Sequence, residues 1–510
     1  MQKNEIPNSN FQILPKICLK SCFIGIICLL CIVISSEVQA QEQYENVSSV
    51  IHVQSNISDG KLSIAEIVKL AKEKGIKVVV ITDCALRRWE YGLAPFERII
   101  RRKHEEDSVI SFGVRKYFKE ISDIQSRNPE ILVIPGMEVA PFYYWKGSYL
   151  NNTLTLYNWH EKFLVLGLNN INDYRYLPIV GNYSLIPRNF RNLLDFWPMG
   201  LVALGFFLKR FRRKKHFSFA GQVYSDLTSP FRGLGIFLIF LGIVLCLGIF
   251  RFPISPYNQY RGNQGIKPYQ YLIDYVTKRN GLIFWLRPET NYSSQFLGAR
   301  VITLSYKDDL RKSFNYTGFA GIYFDNYTAT NPQDLWDRLL NDYCEGRRKT
   351  PVWIFGEVGW DGTKETWHID GIETVLLLKD FNQQAVLEAL RQGRMYAKLN
   401  RQKNDFSLDK FCVMDETKEK IAFMGEDLKI SKAPQILIKA SFAKELTAQT
   451  SIKLIRDGEV IKEFNPKTNK IAINFKDNGY TAYKKSFYRL QIYKDECLIL
   501  TNPIIVSSKD

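Results

Sequence analysis

His52 sits near the end of an apolar run, in Ser49-Val-Ile-His-Val-Gln-Ser-Asn-Ile-Ser-Asp-Gly60, and is followed by Gln54 and Asp59. A second apolar run, Val78-Val-Val-Ile-Thr-Asp-Cys84, ends in Asp83. A third, Ile131-Leu-Val-Ile-Pro-Gly-Met-Glu138, ends in Glu138. A fourth follows a histidine, in Trp159-His160-Glu-Lys-Phe-Leu-Val-Leu166. Imidazoles and carboxylates are the ligands that zinc, manganese and iron take. His52, Asp59, Asp83, Glu138 and His160 are therefore the candidate metal ligands.

The segments between these residues position them. Ile64, Ile67, Val68 and Ala71 recur at helical spacing, and Gly75 stops that helix. The order is strand, loop, amphipathic helix, strand. Residues 85–130 form a long excursion, rich in Arg and Lys, with a helix expected from Val109 to Ser126. Later, Tyr269 to Gly281 reads as a helix and Leu282-Ile-Phe-Trp285 as a strand. Pro288 has no N–H for a ladder, so it ends that strand and leaves Arg287 at its C-terminal end. Thr374 onward reads as a strand, and Gln384 to Gln392 as a helix. Alternating strands and helices imply an α/β barrel of seven or eight strands, TIM-like and distorted, with its site at the C-terminal ends of the strands. Val53, Ile81, Val139 and Leu166 are expected on neighbouring strands, and Arg287 at the same mouth as His52 and Glu138.

The stretch from His52 to Cys84 resembles the polymerase and histidinol phosphatase (PHP) family of metal-dependent phosphoesterases. The family pattern is His-x-His, Ser-Asp-Gly, Glu-Ile-Val, Ala-Lys-x-x-Gly and Ile-Thr-Asp-His. His52, Asp59 and Asp83 match it. Gln54 and Cys84 stand where the family has histidines. Glu138 fits the family's Pro-Gly-x-Glu ligand. Lys162 occupies the second position of a His-x-His, Arg287 that of a histidine before Pro288, and Gly359 and Asp361 those of an aspartate and a histidine. The resemblance covers about residues 45–400. It implies two or three divalent metals at one mouth, polarising a phosphate oxygen and generating hydroxide near neutral pH. The departures imply an incomplete zinc, manganese or iron site. Gln54, Arg287 and Asp361 are candidates for contacting an anionic ligand, because arginine pairs bidentately with phosphate or carboxylate.

Histidine is scarce: the 510 residues contain five, at 52, 104, 160, 216 and 368. His104 falls in a charged run that reads as a solvated helix face, His216 in a basic loop, and His368 in a loop beside Trp367. Of nine cysteines, four lie in or beside an N-terminal apolar segment, and the rest lack metal-type spacing. The net charge of +17 gathers partly at Lys209 to Lys215, between two apolar segments, which suggests membrane topology and no nucleic acid. Residues 1–40 read as a signal peptide or N-terminal anchor. A transmembrane hairpin is expected at 193–250, with a cytoplasmic loop at 209–232. It would interrupt a barrel built from residues 41–192 and 251–404. Residues 405–510 alternate apolar and polar positions, turn at Asp457-Gly458, and read as a β-sandwich. The expected protein is an exported, membrane-tethered barrel with its main domains periplasmic or at the cell surface. Its expected function is that of a degenerate phosphoesterase with weak or no hydrolysis, a pseudoenzyme binding a phosphate-containing ligand or an envelope protein. The alternative is an active metal-dependent phosphatase with a reduced site.

Overall fold

The computed structural model describes residues 44–508, apart from 94–96, 98–99, 150, 187–192, 250–251, 297, 401–405, 443–449, 482–483 and 495–496. The expected signal segment at 1–40 lies outside the described residues.

Seven strands close a ring: β1 (Glu45–Val53), β2 (Val78–Ile81), β3 (Leu132–Val139), β4 (Phe163–Leu166), β5 (Leu282–Trp285), β6 (Gly318–Tyr323) and β7 (Trp353–Trp360). Sequence neighbours are also neighbours in the ring, and β7 returns to β1 through Ile51 opposite Glu357. Val53, Ile81, Val139 and Leu166 thus lie on successive strands. The short strands β2, β4 and β5 are buried throughout, so they are continuous apolar runs. All neighbours run parallel except at β4, which is antiparallel to both β3 and β5. Reversal brings the N-terminal end of β4, and His160 and Lys162 before it, to the C-terminal ends of the other strands.

Helices cover the ring: α1 (Ile64–Glu73), α2 (Val114–Arg127), α5 (Lys267–Thr277) and α6 (Leu335–Cys344); the two helices between α2 and α5 belong to an excursion from it. Helix α1 starts where Ser63 and Glu66 form a reciprocal capping box, and it buries Ile64, Ile67, Val68 and Ala71. The helix expected at 109–126 is two pieces, Val109–Phe112 and α2, because Gly113 adopts φ 105 between them. Arg101–Glu106 is a strand and not a helix face. It pairs with Arg87–Gly92, and His104 packs on Trp89.

The transmembrane hairpin and the membrane localisation expected from the sequence are corrected. Among the described residues no helix is long and apolar enough to cross a membrane. Helix α3 (Trp197–Arg210) has 14 residues and α4 (Arg232–Ile249) has 18. At about 1.5 Å per residue α3 reaches about 21 Å, short of the roughly 30 Å of a bilayer core. The basic segment between them is a β-hairpin, Arg213–Phe219 against Gln222–Thr228, turning at Ala220 and Gly221. The two helices touch closely, since a Cβ on Gly205 would stand 2.7 Å from the Gly235 carbonyl oxygen. The excursion is tied at its base, where Tyr183–Ser184 pairs with Phe252–Pro253.

Beyond the ring the main sheet continues through β8 (Ile372–Leu378) and β9 (Met395–Asn400), with α7 (Gln383–Gln392) between them. The later strands are β10 (Phe406–Met414), β11 (Ile421–Phe423), β12 (Asp427–Ile430), β13 (Gln435–Phe442), β14 (Thr450–Arg456), β15 (Glu459–Phe464), β16 (Lys470–Lys476), β17 (Ser486–Lys494), β18 (Cys497–Thr501) and β19 (Ile504–Ser508). Strand β18 pairs with β9, which joins β17, β14 and β15 to the main sheet; β11, β10, β13 and β16 form a separate four-stranded sheet. Arg489 of β17 reaches α6, where Nε lies 2.7 Å from Asp337 Oδ1 and Nη2 2.7 Å from Oδ2. Both side chains are fully buried.

Candidate functional site

Strand β1 breaks its ladder at His52. Its register shifts between Ile51 and Val53 against both neighbours, and His52 has φ 74. A positive φ is costly for a β-substituted residue, so this bulge holds a side chain where regular pleating would not. His52 Nδ1 lies 2.8 Å from Glu357 Oε1, and Nε2 lies 3.0 Å from Glu138 Oε2. All three are buried. Burial works against a charged imidazole, but Glu138 and Glu357 outweigh it and raise the His52 pKa above its usual value.

Each carboxylate also holds a cation. Lys162 Nζ lies 2.6 Å from Glu138 Oε1, and Arg287 Nε lies 2.6 Å from Glu357 Oε1. Burial would raise both carboxyl pKa values. Lys162 and His52 overcome it at Glu138, and Arg287 and His52 at Glu357, so both stay below the carboxylate range. Arg287 has φ 43, and its guanidinium lies 4.6 Å from the centre of the Phe324 ring. It fills the space beside Gly359, which has φ 54 and where a Cβ would overlap Arg287.

The remaining sequence candidates divide. Gln54 donates to Cys84 Sγ at 3.3 Å, and Cys84 Sγ stands 3.0 Å from Glu138 Oε1 and 3.4 Å from Asp59 Oδ2. Asp59 forms an ion pair with Arg87, which also pairs with Glu106. Asp83 faces the loop, accepting from Ser55 N at 2.8 Å, Ser55 Oγ at 2.8 Å and Ser58 Oγ at 2.6 Å. Burial lifts its pKa to about 6, with the serine bonds pulling the other way. Asp83 thus braces the 55–60 turn instead of facing the mouth. His160 packs on Tyr292, ring centres 3.9 Å apart. Burial and the Lys162 charge lower its pKa to about 3. Asp361 lines the cavity but its Oδ1 accepts from Thr363 N at 2.8 Å and Thr363 Oγ1 at 2.7 Å.

His52, Gln54, Asp59, Glu138, His160, Lys162, Arg287 and Asp361 line one cavity of about 600 Å³. Sequence reasoning missed Glu357. Its signal was a carboxylate inside the apolar run Trp353-Ile-Phe-Gly-Glu357-Val, the same cue that marked Glu138.

The residues present do not fit a multi-metal centre. Among the described residues no group of three or more His, Cys, Asp or Glu could hold a metal ion. The carboxylates that would attract one already hold Lys162, Arg287 and His52. Protonated ammonium and guanidinium groups cannot ligate a cation.

Gly359→Ala should cost about 1–2 kcal/mol through its left-handed backbone, with a further loss from collision with Arg287. Denaturant midpoints of the two single variants and the double variant check this. The Gly359→Ala penalty should shrink in the Arg287→Ala background.

A family model described as the PHP domain matches residues 51–293. No curated protein matches the chain. Two solved structures are similar. One, from Bacteroides vulgatus ATCC 8482, is a two-domain protein named for a predicted PHP-like metal-dependent phosphoesterase; identity is 9%, coverage 88% of this chain and 90% of that one, and the TM-score 0.35. The other, from Bifidobacterium adolescentis ATCC 15703, is named as a candidate metal-dependent phosphoesterase; identity is 11%, coverage 63% and 91%, and the TM-score 0.26. At such scores neither likeness bears on activity.

Proposed function

We propose that the barrel mouth binds a phosphate-bearing ligand on two of the protein's own cations, Lys162 and Arg287, and hydrolyses it weakly or not at all. The observation that carries this reading is the seating of one fixed cation on each buried carboxylate, at 2.6 Å in both cases. Lys162 and Arg287 keep 22% and 28% of their side chains exposed, so both can still meet an anion in the cavity they line. Arginine offers phosphate a planar fork and lysine a point charge. The PHP domain match supports a phosphate ester as the ligand class.

Hydrolysis needs a base or an activated water, and the candidates are committed elsewhere. Glu138 and Glu357 are held by cations, Asp59 by Arg87, and Asp83 by the serines of its turn. His160, with its pKa near 3, is a weak base at neutral pH.

A second reading is a reduced metal-dependent phosphoesterase, for which the PHP domain match speaks. Calorimetric titration with inorganic phosphate, in excess chelator, separates the two. The expected result is binding that survives the chelator and weakens about tenfold or more in Arg287→Ala, as loss of a charge-assisted pair should. Elemental analysis finding two or more metals per chain, with turnover of 4-nitrophenyl phosphate abolished by Glu138→Ala, would establish the second reading instead.

A further inference from the structure

We infer that the organic part of the ligand presents a flat ring, stacked on the aromatic side chains that accompany the two cations. The inference rests on the phosphate-binding reading and deepens it. A cavity of about 600 Å³ lies within the range of sites for whole organic molecules, about 300–1,000 Å³, and is larger than a bare anion requires. Among its charged lining residues, Lys162 and Arg287 sit on Glu138 and Glu357, the two carboxylates that flank His52. Each cation has an aromatic pair beside it. On the Lys162 side, His160 and Tyr292 pack with ring centres 3.9 Å apart. On the Arg287 side, Phe324 lies under the guanidinium, and Trp367 packs on Phe324 with centres 5.2 Å apart. All four rings line the cavity.

Tyr292 is 38% exposed, on a strand whose residues are otherwise largely open to solvent. A large aromatic left open inside a charged cavity is suited to meeting another π face. The resulting site has a cationic floor for phosphate and aromatic walls for a ring. An aliphatic phosphate ester would use the floor alone.

The test is calorimetric titration of the full chain with inorganic phosphate, glycerol 3-phosphate and phenyl phosphate. Phenyl phosphate should bind about three- to tenfold tighter than glycerol 3-phosphate, the range expected for one or two aromatic contacts. Tyr292→Ala should abolish that preference and Tyr292→Phe should keep it, in protein whose melting temperature confirms folding. Equal affinity for the two esters, with inorganic phosphate still binding, overturns the ring and leaves the phosphate reading standing. A preference that survives Tyr292→Ala also overturns it. Failure of all three compounds to bind overturns both.

Discussion

Asp337→Ala should lower the stability of the chain by about 3–5 kcal/mol, because it leaves Arg489 buried and uncompensated. The pair joins α6 of the barrel wall to β17 of the C-terminal strands. Both side chains are sealed from water, at 0% and 1% exposure, and the contact is bidentate. Arg489 also donates to the Thr330 carbonyl at 3.1 Å, so the guanidinium cannot swing to solvent without losing a second element. Its guanidinium lies 4.8 Å from the centre of the Trp336 ring. Denaturant midpoints read the loss. Replacing both partners with apolar residues of similar volume, as in Asp337→Leu with Arg489→Met, should recover much of it, since the cost lies in the orphaned charge. A single variant within about 0.5 kcal/mol of the parent would contradict the buried pair, because that is the usual range for an exposed site.

Lys162→Met should have the second largest effect, about 2–3 kcal/mol, less than for a sealed pair because Lys162 keeps 22% of its side chain exposed. Its signature is in the pH dependence. Glu138 titrates below its unfolded value, despite burial, because of Lys162 and then His52. A depressed carboxyl pKa contributes stability that is present above the unfolded value of about 4.5 and is lost as pH falls through the folded one. With Lys162 intact, that loss runs from about pH 4.5 down to the folded value. Without it, burial regains weight and the folded pKa rises, so the carboxylate contributes less above about pH 4.5 and has less to lose below it. His52 acts in the opposite direction. Its raised pKa contributes stability present below its unfolded value of about 6.5 and lost as pH rises through the folded one. Urea midpoints from about pH 3 to 8 should therefore show the deficit of Lys162→Met widest near neutral pH and narrowing as pH falls below about 4.5. Superimposable profiles would contradict the coupling of Lys162 to Glu138.

The barrel was legible because its strands are unbroken apolar runs punctuated by polar residues. Arg287 was placed at the end of β5 by Pro288, and the structure has it there. The direction of β4 was not legible, since a four-residue apolar run reads identically either way and only pairing with β3 and β5 fixes its sense. Glu357 was passed over because a motif frame fixed attention on Gly359 and Asp361, two and four residues on. Gly359 matters as absent volume, which no residue type announces. Asp83 matched its motif position, yet its carboxylate turned to Ser55 and Ser58, a choice made by local hydrogen bonds. Hydropathy found both apolar helices α3 and α4, but hydropathy alone says neither where a helix ends nor that the chain between them folds into a β-hairpin.

The two-residue pairing of Tyr183–Ser184 with Phe252–Pro253 makes the excursion between them topologically neutral. The chain departs and returns at one place, so the barrel meets a closed junction instead of a gap it must span. The entropy of closing such a detour grows only with the logarithm of its length, about 0.6 kcal/mol for each doubling. The strands that carry His52, Glu138 and Arg287 are thereby insulated from whatever is inserted there. This part of the chain is free to lengthen, shorten or change character while the geometry of the mouth stays fixed, which makes it the natural place for the protein to diverge.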